Sequence, residues 1–404
     1  MAEYDVDVAI LGGGLVGASM ALALSQTSLS SVLFEAIAHN ANAQPSFDDK
    51  VVALAKSSQN FLNRLGIWRE IVSEATPIQH IHVSDRGHAG IVRLHASDYH
   101  SKAFGFVANT RKIGGVLYGA LAKQTQCAVN IPSQIIDCKN IVNGVEILVE
   151  DEKGQRKTWR ARLAIVAMGA KPDWLQSLNF TITSKSYHQT ALVANVACQK
   201  SHQNWAYERF TESGPLALLP ITQQSMSMVL TVTDDEKEKW LGKSPAELLQ
   251  GIQARFGYRL GRFEKLGELQ DYPLTLRYTQ SLFCGRALLI GNASHGLHPI
   301  AGQGFNLGLR DVETLLKTLS SSTTAEEIGT LTQLMDYESQ RESDHKRIIT
   351  ATDSLAECFQ KRPLPVQLLR SAACHTLNLA PIFRQPLVSV AMGYAPFQSM
   401  YAHY

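Results

Sequence analysis

Apolar residues cluster along this chain in two different periods, and the change of period divides it. Val6 to Leu11 is a nearly continuous apolar run rich in β-branched side chains, which predicts a buried parallel strand. Leu15 to Leu24 predicts a helix, and Ser31 to Phe34 a second buried strand. An acidic loop near Asp48-Asp49 comes next, then a helix through Phe61-Leu62 that ends near Gly66. Residues 79 to 95 alternate apolar and polar positions (Ile81, Val83; then Ile91, Val92), as a hairpin does. Val116 to Leu121 reads as helix, and Val145 to Val149 and Leu163 to Ala167 as strands. Ala191 to Val196 and Met226 to Val232 predict strands of a second, antiparallel sheet, and Arg286 to Ile290 another buried strand. From Tyr337 onward the pattern is helical, broken by Pro363, Pro365, Pro381 and Pro386. The expected organisation is a discontinuous dinucleotide-binding domain of residues 1–75, 106–180 and 276–336. Interleaved with it is a β-sheet domain of residues 76–105 and 181–275, and a helical segment, 337–404, follows.

Two glycine-rich turns sit at strand ends. Gly12, Gly14 and Gly17 have G-x-G-x-x-G spacing between a predicted strand and a predicted helix. The first glycine makes the tight turn, the second admits a phosphate to the backbone, and the third lets helix pack on strand. The helix then offers its free N–H groups and positive dipole end to the phosphates. Glu35, at the end of the next strand, lies where a ribose-binding carboxylate is expected and disfavours a 2′-phosphate. The second segment runs from Gly291 to Asp311. It holds Asn292, Pro299, Gly302, Gln303, Gly304, Asn306 and Gly308, then a helix with Leu307, Leu309, Val312, Leu315 and Leu316 as apolar positions. Backbone without Cβ atoms can lie against a flat ring, and Asn292 can hydrogen-bond a polyol chain. A ligand that needs both segments is a long dinucleotide, and FAD fits.

The second segment, Gly291-Asn292-Ala293-Ser294-His295-Gly296-Leu297-His298-Pro299-Ile300-Ala301-Gly302-Gln303-Gly304-Phe305-Asn306-Leu307-Gly308, also carries a family resemblance. It resembles the FAD-dependent aromatic hydroxylases (group A flavoprotein monooxygenases), and among them the ubiquinone-biosynthesis branch. Asn292 is similar to the residue in the 2-octaprenyl-6-methoxyphenol hydroxylases. His82 to Gly90, Tyr207-Glu208-Arg209-Phe210 with Gly214 to Ala217, and Tyr272-Pro273-Leu274 point the same way. The resemblance covers about residues 5 to 355. It implies an α/β fold (α+β overall). That fold has a Rossmann-like FAD-binding domain of glutathione-reductase and para-hydroxybenzoate-hydroxylase type, an antiparallel substrate sheet and a helical C-terminus. It further implies NAD(P)H as co-substrate, a polyprenyl-phenol as substrate, and hydroxylation through a flavin C4a-hydroperoxide. The expected cofactor-binding residues are Gly12, Gly14, Gly17, Glu35, Lys50, Asn292, Gly302, Gln303, Gly304 and Asn306. Arg209 and Pro299 are pocket candidates. Neighbours on a strand point to opposite faces, so only one of Glu208 and Arg209 can face a pocket.

Two departures from the family pattern bear on turnover. An Asp-Gly pair expected after a central strand is Met168-Gly169 here, with Pro172 in place of a nearby serine. An expected Arg is Lys50, which keeps the charge and loses the planar fork. The missing acid keeps one alternative open, a flavin-binding structural subunit of a ubiquinone-synthesis complex, and a related flavin oxidase or dehydrogenase that makes no hydroperoxide stays open beside it.

Composition adds bounds. A net charge of +2 implies neither nucleic acid nor an acidic partner. The six cysteines have no C-x-x-C spacing and read as reduced thiols of a cytoplasmic protein. His295 and His298 stand three apart without a carboxylate or cysteine to complete a metal site, so no metal is expected. The block Leu364 to Met392 is dense in apolar residues, with Arg370 and Arg384 among them. One reading is helices packed on the body. The other is an apolar lip that admits a prenyl tail or makes peripheral contact with the inner membrane.

Overall fold

The computed structural model describes residues 4–37, 50–88, 90–169, 173–296, 303–322, 324–358 and 384–394. Five parallel strands make its first layer, in the order Ala287–Leu289, Arg156–Val166, Val6–Leu11, Ser31–Phe34, Cys127–Asn130. Leu11 pairs with both Val166 and Phe34, so three strands end level with one another. That shared edge puts Gly12, Glu35 and Met168 side by side. The Leu15–Leu24 helix buries eight of its ten residues and has no polar face. It packs between the sheet and the Thr110–Leu121 and Gln303–Ser320 helices in the largest apolar cluster. The sheet's other face is covered through Ile135, Ile147, Trp174 and Leu175.

A nine-stranded mixed sheet forms the second layer: eight strands run from His295–Gly296 through Gln270–Thr279, Ile182–Cys198, Ser225–Thr233, Gly214–Thr222, Trp205–Thr211 and His80–Asp85 to Ile91–His95, and Phe263–Leu266 pairs with the end of Ile182–Cys198. Its one parallel pairing joins Trp205–Thr211 to His80–Asp85. One face, carrying Leu192, Leu216, Leu218 and Leu230, is covered by the Asp234–Leu241 and Pro245–Phe256 helices through Trp240, Leu248, Ile252 and Phe256. The opposite face meets a small three-stranded sheet. There Ala206 packs with Ile78, Val107, Val51 and Ala53.

Several elements run past their sequence pattern. Ile182–Cys198 has 17 residues against the six expected, because its polar first half pairs with Gln270–Thr279 across a register shift at Ser186 to Thr190. The two helices over the sheet were not expected at all. Of the C-terminal block, residues 359–383 lie outside the described residues. The short Gln385–Ala391 helix is packed on the body, with Val388 and Met392 buried against Val92, Leu94 and Phe104. Among the described residues no helix is long and apolar enough to cross a membrane.

Candidate active site

The glycine turn is built at the edge of the parallel sheet. Gly12 takes φ +105°, a region that penalises any side chain. A Cβ on Gly17 would collide with the Gly12 carbonyl oxygen, so strand and helix close only on a bare α-carbon. Gly14 is the N-cap of the Leu15–Leu24 helix. That helix has no side-chain cap and no acid in its first turn, so its end N–H groups are left to an anion. Glu35 accepts from the Gly13 N–H at 2.6 Å and from the Ile37 N–H at 2.9 Å. These two bonds, one to each carboxylate oxygen, fix its position at the sheet edge. Tyr118 donates to the Gly13 carbonyl at 2.7 Å. Burial, then the Glu35 charge, push its phenol well above the ordinary range.

The second glycine segment is held from below by a fully buried carboxylate. Asp311 Oδ2 accepts from the Gly291 N–H at 3.0 Å and from His295 Nε2 at 2.8 Å. Its Oδ1 accepts from Arg341 Nε at 2.9 Å and His345 Nε2 at 2.7 Å. Burial alone would raise this carboxyl, but His345, Arg341 and His295 outweigh it and hold it well below the carboxylate range. Burial pushes His295 the other way, toward the neutral ring. His295, Asp311 and His345 offer three ligand atoms within 4.8 Å of one another. The Arg341 guanidinium on the same carboxylate gives this cluster a cation of its own and makes it a hydrogen-bond hub. Asp311 stood in the motif without a role, and Arg341 and His345 carried no sequence signal. The hub fixes His295 in place, and His298 lies outside the described residues.

Asn306 was expected at the cofactor. Its amide joins the Gln303–Ser320 helix to the Val51–Ala55 strand: Oδ1 accepts from Ala55 N–H at 2.8 Å and from the Ser58 hydroxyl at 2.7 Å, and Nδ2 donates to Ala53 O at 2.8 Å. Gln303 is buried at the start of that helix. A Cβ on Gly304 would stand 3.9 Å from Asn292 Oδ1, so these two expected residues are neighbours. Pro299 and Gly302 lie outside the described residues. Lys50 turns to the other layer, its Nζ 4.1 Å from the Tyr272 ring centroid.

The strand that carries the pocket candidate Arg209 sets its facing. Trp205–Thr211 alternates, and Arg209 is paired with Leu216 and Ser84 on the helix-covered face. Burial, with Arg259 and Arg86 nearby, weakens its hold on its proton. Glu208 takes the opposite face, between Val83 and Ala217 and two residues from Ala206, toward the Val51–Ala55 strand. Met168 occupies the edge where the family pattern has an acid, packed over Gly12.

A sequence model described as "FAD binding domain" matches residues 5–352. The chain belongs to this family. It is 32% identical to the ubiquinone hydroxylase UbiL of Rhodospirillum rubrum, over 97% of this chain and 90% of that protein. It is 25% identical to the 3-demethoxyubiquinol 3-hydroxylase of Escherichia coli K12, over 97% of this chain and all of that protein. In fold it is similar to the p-nitrophenol 4-monooxygenase PnpA of Pseudomonas putida DLL-E4, with TM-score 0.79 and 16% identity over 97% of this chain and 99% of that one. The family member described here is an FAD-dependent aromatic hydroxylase with the para-hydroxybenzoate-hydroxylase fold. Its residues fit FAD: an uncapped helix end for the pyrophosphate, and at the end of the next strand a Glu35 carboxylate held in place by two backbone N–H groups, where a ribose is expected.

Proposed function

We propose that this enzyme hydroxylates the aromatic ring of a polyprenylated phenol in ubiquinone biosynthesis, with NAD(P)H and O2 as co-substrates. The observation that carries the reading is end-to-end similarity to a ubiquinone hydroxylase, 32% over 97% of the chain. Asn292 in the second glycine segment supports the finer assignment to a 2-octaprenyl-6-methoxyphenol hydroxylase.

In this reading Gly12, Gly14 and Gly17 take the pyrophosphate and Glu35 the adenosine ribose. Asn292, Gln303 and Gly304 border the isoalloxazine, and Asn306 holds their helix in place. Bound FAD, reduced by NAD(P)H, supplies the redox and oxygen chemistry. The chain's own residues bind, orient and exclude water. The nine-stranded sheet supplies the substrate side, with Tyr272 and Glu208 on the face opposite its two covering helices.

The test is hydroxylation of 6-methoxy-2-prenylphenol by purified protein with NADH or NADPH, with the quinone intermediates of a deletion strain profiled alongside. Hydroxylated product and accumulation of one methoxyphenol-stage intermediate are expected. Oxidation of NAD(P)H that yields only hydrogen peroxide, whatever the phenol, would overturn the reading.

A further inference from the structure

Glu208 carries a carboxyl oxygen that the surrounding protein does not satisfy. Its Oε1 is shielded from solvent and has no hydrogen-bond partner. Its strand neighbours are apolar: Val83 on one side and Ala217 on the other. Val83 belongs to the cluster of Val388 and Met392, and Ala206 to that of Val51 and Ala53. So the carboxyl stands on the sheet face closed over by the Val51–Ala55 strand and the C-terminal helix. The titratable groups on the elements around it are few. Asp85 is one row along, Lys50 and Tyr272 pair with each other at the far side, Tyr99 and Tyr394 lie in the apolar cluster under the C-terminal helix, and Arg384 caps that helix and donates to the Arg93 carbonyl. The neighbouring Arg209 points through the sheet to the other face. Burial without a compensating charge raises the Glu208 carboxyl to about 7. An unsatisfied buried acceptor is costly in a folded protein and marks a place where a ligand donor is expected. A phenol supplies one neutral O–H donor, whereas an anionic substrate would be repelled.

We propose that Glu208 is the catalytic base of the hydroxylation, accepting the phenol proton as the ring is oxygenated, and that it selects a neutral phenol over its ethers and over aromatic acids. This rests on the proposed phenol substrate. The O–H bond breaks, its proton passes to the Glu208 carboxylate, and its electron pair moves into the ring. The ring carbon bonds to one atom of O2. The other atom leaves as water with two electrons from NAD(P)H. The hydrogen on the oxygenated carbon is then lost as a proton when aromaticity returns, and Glu208 gives its own proton back to the phenolate oxygen. A base whose affinity for the proton lies near neutrality suits this transfer, because the phenol grows acidic as the ring gives up electrons.

Two measurements on the FAD-loaded enzyme decide. The first is binding without turnover: dissociation constants of 6-methoxy-2-prenylphenol and its O-methyl ether, read from the flavin spectrum of the oxidised enzyme. Wild type should favour the phenol by roughly tenfold or more, and Glu208→Leu should lose that preference while keeping the ether's affinity. The second is the pH profile of single-turnover hydroxylation. Wild type should show a limb that rises through about pH 7. Glu208→Gln should lose the limb and slow hydroxylation by about 10²–10⁴-fold, with flavin reduction unchanged and oxygen diverted to hydrogen peroxide. Glu208→Asp should restore part of the rate and the limb. Equal preference in wild type and Glu208→Leu, or a Glu208→Gln enzyme that hydroxylates at the wild-type rate, would overturn the role of Glu208 and leave the phenol substrate standing. If the variants fail to fold, a wild-type profile flat from pH 5.5 to 8.5 overturns it. Wild type that neither binds nor hydroxylates the phenol overturns the substrate reading and this one with it.

Discussion

Single residues here act through space they leave empty or charge they leave unpaired. Gly17→Ala would put a methyl group into the Gly12 carbonyl, which is backbone and cannot step aside. The expected result is protein without yellow colour and a lowered unfolding temperature, read by flavin absorbance and thermal denaturation. A folded, fully flavinylated variant would contradict it. Met168 makes a different argument: it packs over Gly12 at the strand edge where the family pattern has an acid. Met168→Asp should raise the rate of flavin reduction by NAD(P)H with flavin content near wild type, and stopped-flow reduction traces check this. An unchanged or lower rate would show that Met168 does not limit flavin reduction. Glu208 also leaves a mark on stability. Its folded value is raised from 4.5 to about 7, so the folded state holds this proton more tightly than the unfolded chain. Its contribution is therefore fully present below about pH 4.5 and is lost as pH rises through about 7. Denaturant unfolding of wild type and Glu208→Gln should diverge across that window, with wild type losing about 3 kcal/mol relative to the variant. Parallel curves would show that the carboxyl is solvated.

At the level of elements, local signals were legible and long-range pairing was not. The first glycine turn was readable because strand, turn, helix and acid follow one another within about 30 residues. The Pro245–Phe256 helix was missed although its signal is present: Ser244 and Glu247 form a capping box, with Pro245 at the first position. The Asp311 hub was illegible, since Arg341 and His345 arrive from the Leu331–Cys358 helix, 30 and 34 residues away. The facing of Glu208 and Arg209 was illegible for the same kind of reason. Alternation says that they diverge, and only the parallel pairing with His80–Asp85 and the packing of Ala206 say which one faces the Val51–Ala55 strand. Asn306, expected at the cofactor, also has an employment that the sequence did not show. It hooks the Gln303–Ser320 helix to the Val51–Ala55 strand by three hydrogen bonds. Asn306→Ala should cost about 2–3 kcal/mol, at about 1 kcal/mol per bond lost, and should weaken FAD binding in the same proportion as the helix start loosens. Equilibrium unfolding of the apoprotein separates the two. If apoprotein stability is unchanged while flavin affinity falls, Asn306 acts on the cofactor directly.

For the whole molecule, the question is whether the C-terminal block belongs to the body or to a partner surface. The described part belongs to the body. The Ser57 N–H donates to Met392 O at 3.0 Å, Arg310 Nη1 to Gly393 O at 3.3 Å, and Asn60 Nδ2 to the Tyr394 hydroxyl at 3.1 Å. Val388 and Met392 are buried under the edge of the nine-stranded sheet. A Cβ on Gly393 would strike Ser57, so the chain passes close over the helix that follows the Val51–Ala55 strand. That strand is the one Asn306 ties to the Gln303–Ser320 helix, and the C-terminal contacts thus reach the cofactor side through that strand and, at Arg310, through the helix itself. A chain that ends at residue 383 should lose about 3–6 kcal/mol from the two buried side chains alone, expose Val92 and Leu94, lose flavin and aggregate. A chain that ends at residue 394 should keep the flavin content and unfolding temperature of the full chain. Flavin-to-protein absorbance ratios and thermal unfolding of the two truncations provide the check. Should the 383-residue form stay soluble, yellow and as stable as the full chain, the C-terminal helix would be an appendage, and the prenyl tail or a lipid surface would become its better explanation.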